Sequence, residues 1–164
     1  MRHAILCFLR KKITADERFW CRASWSYYDR CRYAIISSSV IQLHPASYLA
    51  MVIYINRLEN LSLGGRMAWD NALAFCAVAF LLASKFWEDR VFSLDIYARL
   101  FGLSKRQLAE LEFHALRALE FNLCISCVEF ERECTSLGLV NSVFGLAKIN
   151  RPSSTLYSEK KDNL

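Results

Sequence analysis

The 164-residue chain has only five glycines, two prolines and three histidines. With so few residues that impose turns, a sandwich or barrel of many short strands is excluded and long helices are expected. His3, His44 and His114 stand at no ligand spacing to one another or to the cysteines. The seven cysteines are odd in number, and Cys124-Ile125-Ser126-Cys127 is a single CxxC with no second pair. A structural zinc or a thiol redox centre needs more than one such pair, so the cysteines read as small buried thiols of a reducing compartment. Gly-rich phosphate loops, metal-ligand clusters and nucleophile–base constellations are missing as well. Neither an enzyme, a cofactor nor a small-molecule substrate is expected.

Long apolar runs are also scarce. The uncharged stretch from Asn71 to Ser84 falls well short of the ~20 residues that span a bilayer, so it reads as a buried central helix rather than a membrane span. Ala4–Leu9 is shorter than the apolar centre of a secretory signal, and Asp16 and Glu17 count against a mitochondrial presequence. An intracellular place, in nucleus, cytoplasm or both, is the expectation.

What is present is apolar and aromatic: 54% and 13% of residues, enough to build a real core. The net charge of +5 sits at one end. Met1–Tyr33 holds eight Lys/Arg against three Asp/Glu, while the thirteen of each sign in the remainder cancel. The basic character belongs to an N-terminal arm over residues 1–24, with no clear period and read as a solvated extension. The neutral body lacks base-contacting patterns, so nucleic acid is not an expected partner.

Helix signals follow in order. Trp25 to Val40 is read as a helix. Pro45 suits the first position of the next, which carries Tyr48, Leu49, Val52, Ile53, Ile55 and Leu58 and ends near Asn60. Met67 to Trp87 is apolar on every face and should be enclosed by neighbours, its alanines allowing close approach. Ser93 and Gly102 bracket a short helix with Asp95 in its first turn. Ser104-Lys105-Arg106-Gln107 and Ser126-Cys127-Val128-Glu129 are both capping-box patterns. The first starts a helix with Leu108, Leu111, Ala115, Leu116 and Leu119 on its apolar side, running on to Leu123. The second starts a helix to about Leu137. Residues 150–164 are polar and read as a disordered tail.

Three runs in this order carry a resemblance: Ile53-Tyr54-Ile55-Asn56-Arg57-Leu58, then Leu81-Leu82-Ala83-Ser84-Lys85-Phe86-Trp87-Glu88-Asp89-Arg90, then Leu111-Glu112 with Leu116 through Leu123. Together they resemble the cyclin box, over roughly residues 27–123. Within that family the chain is similar to the P/U-type group, with cyclin Y as a neighbour. The resemblance implies an all-α fold: a five-helix box over residues 25–123, an additional helix and connection over 124–149, and no second box. Met1-Arg2-His3-Ala4-Ile5-Leu6 is similar to the substrate-docking motif of cell-cycle cyclins but stands far upstream of the first box helix, so no such patch is expected.

The resemblance further implies a regulatory subunit that docks the mobile C-helix of a cyclin-dependent protein kinase and promotes its active form, in cell-cycle or phosphate-response control. The alternative is a helical scaffold that binds without activating. Lys85 and Glu112 fall where cyclins hold a Lys and a Glu that bond kinase backbone. Phe86 is the candidate apolar anchor, and Asp89 and Arg90 are candidate contacts. Read from the residues alone, Lys85 ends an apolar helix where a cation suits the dipole. Glu112, flanked by Leu111, Phe113 and Ala115, needs a partner to be tolerated there. An intramolecular pair between the two satisfies both conditions.

Overall fold

The computed structural model describes residues 1–14, 28–37, 41–61 and 71–139, and every regular element among them is helical. The helices are α1 (Arg2–Thr14), α2 (residues 28–37, wound as a π-helix over Tyr33–Ser37), α3 (Pro45–Asn60), α4 (Ala72–Trp87), α5 (Leu94–Phe101), α6 (Lys105–Ala118) and α7 (Cys127–Ser136).

The core is organised around α3 and α4, the most extensive helix pair. Pro45 opens α3 where its missing N–H costs nothing, and the His44 ring caps it, Nδ1 accepting from the Ala46 amide at 3.3 Å. α4 is enclosed. From Ala72 to Ser84 only Ala74 and Phe75 keep appreciable exposure. Ala72, Ala77, Ala79 and Ala83 are fully buried and let α3, α5 and α6 close in. Phe80 fills the space between them, with its ring edge-to-face against Tyr48, Tyr97 and Phe101 at 5.6–6.3 Å. Ser84, buried among these side chains, exchanges a hydrogen bond with the Tyr97 hydroxyl at 2.5 Å.

Most expected boundaries hold within the described residues. Pro45 starts and Asn60 ends α3. Gly102 stops α5 in the left-handed conformation, φ 67°, a turn that a side chain would strain. Ser93 precedes α5 but its side chain makes no capping bond. The box at Ser104 closes fully: Gln107 N donates to Ser104 Oγ at 3.1 Å and Ser104 N donates to Gln107 Oε1 at 2.9 Å. At Ser126 only half forms, Glu129 N donating to Ser126 Oγ at 3.2 Å, because the Glu129 carboxylate is engaged elsewhere. The outer ends of the expected Trp25–Val40 helix, the Met67 start of α4 and the tail over 150–164 lie outside the described residues.

Two elements differ from the sequence reading. Residues 2–14, read as an arm without a period, form α1, which packs on α3 with Ile5, Leu6 and Leu9 buried. The buried apolar stripe spans little more than one turn, Ile5 to Leu9, and is flanked by cations, so hydropathy alone hides it. Two of those cations also bind: Lys12 pairs with Glu59, and Arg2 lies over the Tyr48 ring at 5.4 Å. In addition α6 ends at Ala118 rather than continuing to Leu123. Among the described residues, no helix is long and apolar enough to cross a membrane.

Candidate docking surface

The last turn of α4 and the middle of α6 meet at one end of the bundle. Lys85 Nζ donates to Glu112 Oε1 at 2.6 Å. The carboxylate side is well covered, 15% exposed, while the lysine is 38% exposed and stands at the negative end of α4. Phe86 is half exposed, with the Trp87 ring edge-on to it at 6.0 Å. Phe113, next to Glu112, is also exposed. Two charges satisfied by each other among exposed aromatic rings make a surface that is apolar in bulk and still offers a donor and an acceptor. Lys85 has further N–H groups beyond the one it gives Glu112.

Asp89 and Arg90 do not join this pair. They lie beyond α4 and line, with Ile41, Leu43, Ser84 and Phe92, a cavity of about 490 Å³ beside the segment leading into α3. Glu88 closes one side of it by accepting from the His44 amide at 2.6 Å.

A second constellation was not anticipated. Trp87 Nε1 donates to the Tyr54 hydroxyl at 2.9 Å, and that hydroxyl donates to Leu123 O at 2.7 Å. Burial is the main force that pushes the Tyr54 pKa up to about 12, against the Trp87 bond that lowers it. One turn further along α3, Arg57 donates from Nη1 to Asn122 O at 3.0 Å and from Nη2 to Cys124 O at 2.7 Å. Its Nε and Nη2 also grip the Glu129 carboxylate at 2.9 and 2.6 Å. The Glu129 hydrogen bond is the largest cause raising the Arg57 pKa. Three consecutive carbonyls, Asn122 to Cys124, are thus held by two side chains of α3.

The turn just before them is strained. Glu120 and Phe121 both adopt left-handed backbone, φ 50° and 57°. For residues with a Cβ that conformation costs about 1–2 kcal/mol each. The Phe121 amide reaches back to Leu116 O at 2.8 Å, capping α6 with no glycine, and the ring is left 65% exposed. Through Trp87, Tyr54 and Leu123 this turn is tied to the same end of α4 that carries Lys85 and Phe86. Tyr54 and Arg57 stand three residues apart on α3, one turn, so both face the same stretch of carbonyls.

Comparison with known proteins places this arrangement. The Cyclin family profile matches residues 29–123, from α2 through the carbonyl that Tyr54 holds. The chain is 33% identical over 106 residues to Cyclin-P2-1 of Oryza sativa subsp. japonica, covering 65% of this chain and 45% of that protein. It is 28% identical over 93 residues to Cyclin-U1-1 of Arabidopsis thaliana, covering 57% and 44%. It is also 28% identical over 110 residues to PHO85 cyclin-8 of Saccharomyces cerevisiae, covering 65% and 22%. The chain spans about half the length of the plant relatives it matches. With a family match over residues 29–123, which takes in the enclosed α4 and the helices α3, α5 and α6 that pack on it, the chain belongs to the cyclin family, and its relatives are of the P and U type.

Proposed function

We propose that this chain is a regulatory subunit, without catalysis of its own, that binds a cyclin-dependent protein kinase through the surface where the last turn of α4 meets the middle of α6. The kinase's mobile C-helix lies against Phe86 and the exposed aromatic rings beside it, and Lys85 and Glu112 bond its backbone. Held in that pose, the kinase helix brings its glutamate to the ATP-binding lysine, an ion pair that phosphoryl transfer requires. The subunit acts by preferring one kinase conformation over another. Asp89 and Arg90 contact the kinase from the neighbouring cavity rim. Cell-cycle or phosphate-response control inside the cell is the role this reading assigns.

One observation above all supports it: an ionic pair at 2.6 Å, with the carboxylate largely desolvated, set among exposed aromatic side chains at a helix end. Charged pairs in such places are strong recognition elements because either partner left alone is costly. The test is binding of the full chain to a purified cyclin-dependent kinase, with kinase activity read alongside. Lys85→Ala and Glu112→Ala are each expected to weaken binding by more than about 1 kcal/mol, roughly fivefold or more. Wild-type affinity in both folded variants would refute the role of these residues. Binding that leaves kinase activity unchanged would make the chain a scaffold.

A further inference from the structure

We infer that Arg57 is a positioning residue that couples the seat of α7 to the turn carrying Phe121, and so tunes the docking surface from a site that does not touch the partner. The inference rests on the kinase-docking reading and adds a second element, α7, to it.

The geometry carries the argument. A guanidinium is rigid and planar, so its N–H groups cannot be aimed independently. Here one guanidinium serves two elements at once: the Glu129 carboxylate of α7, and the Asn122 and Cys124 carbonyls that follow the strained turn. Fixing Glu129 fixes the plane, and the plane fixes where the two carbonyls sit. Left-handed backbone at two successive residues with side chains persists only where its surroundings over-determine it. The three carbonyl bonds from Arg57 and Tyr54 supply that constraint.

Glu129 gives an independent indication. Its place three residues after Ser126 suits it to close a capping box on its own helix, yet its carboxylate turns to Arg57 instead. Apart from this ion pair α7 rests chiefly on α3, with Cys134 packed against Leu49 and Ile53 and Phe130 and Leu137 beside them. Glu133 and Cys134 are its buried residues, and Val128 is 74% exposed. A helix packed chiefly on one neighbour can shift without unfolding the box, and any shift reaches Phe121 through the shared guanidinium.

The experiment is a double-mutant cycle on kinase affinity between Glu129→Gln and Phe121→Ala, with Lys85→Ala as reference. Glu129→Gln is expected to weaken binding three- to tenfold with the thermal midpoint little changed. That loss should disappear when Phe121→Ala is already present, and should add to the loss from Lys85→Ala. In the free protein, Glu129→Gln should also speed amide hydrogen exchange at residues 121–124, a readout that needs no kinase. Additive losses in the Phe121 cycle, or unchanged exchange at that turn, would overturn the inference while leaving docking intact. If neither Lys85→Ala nor Phe121→Ala weakens binding, the docking reading fails and the tuning of that surface fails with it. Arg57→Lys, which keeps the charge and loses the fork, should reproduce the Glu129→Gln exchange result.

Discussion

Tyr54 is a buried hydroxyl with a donor on one side and an acceptor on the other, and its ionisation is opposed by its surroundings. An acid whose folded pKa lies above its unfolded value stabilises the fold fully below the unfolded pKa and loses that contribution as pH rises toward the folded one. For Tyr54 the window runs from the ordinary value of 10.0 up to about 12. Two units correspond to an upper limit of roughly 2.7 kcal/mol. Chemical denaturation at a series of pH values should show stability falling through this window, with a shallower fall in Tyr54→Phe. The Lys85–Glu112 pair was legible in the sequence because Lys85 is the one charge of α4 and Glu112 is flanked by Leu111, Phe113 and Ala115. Tyr54 and Arg57 were not, because the groups they hold are backbone carbonyls 65 to 69 residues away, and a carbonyl leaves no mark in a sequence. Asp89 and Arg90, read as candidate contacts, stand beyond the helix, because the extended backbone at Glu88, φ −107° and ψ 140°, ends α4 before them.

At the scale of elements, the caps divide into one that closes and one that is diverted. The box at Ser104 satisfies two backbone donors that would otherwise be orphaned. Ser104→Ala should therefore cost about 1 kcal/mol, read as a shift in denaturant midpoint with unchanged slope. The sequence showed both Ser-x-x-Gln and Ser-x-x-Glu plainly. It could not show that Arg57 would compete for the second. Periodicity likewise located α3 to α6, since each turns apolar side chains toward the core. It extended α6 too far because Leu119, Phe121 and Leu123 continue an apolar pattern after the helix has turned back on itself. It passed over α1 because a stripe of Ile5, Leu6 and Leu9 is narrow against Arg2, Arg10, Lys11 and Lys12.

For the whole molecule, α1 changes where the fold begins. It lies upstream of the matched residues 29–123 yet contributes Ile5 and Leu9, both fully buried, to the same core cluster as α4. Leu9→Ala should destabilise the protein by about 2–4 kcal/mol in equilibrium unfolding, as a core truncation does and a change in a solvated arm does not. Four cations, Arg2, Arg10, Lys11 and Lys12, ride on this packed helix, whereas Lys85 and Glu112 cancel each other. The four enclosed alanines of α4 have a consequence of another kind. They act as spacers: their methyl groups set how far α4 stands from α3, α5 and α6, and therefore how wide the gap is that Lys85 and Glu112 bridge. A larger residue at Ala83 would prise those helices apart at a cost of about 1–3 kcal/mol. The spacing of the proposed docking surface is thus set from inside, by alanines that are themselves fully buried.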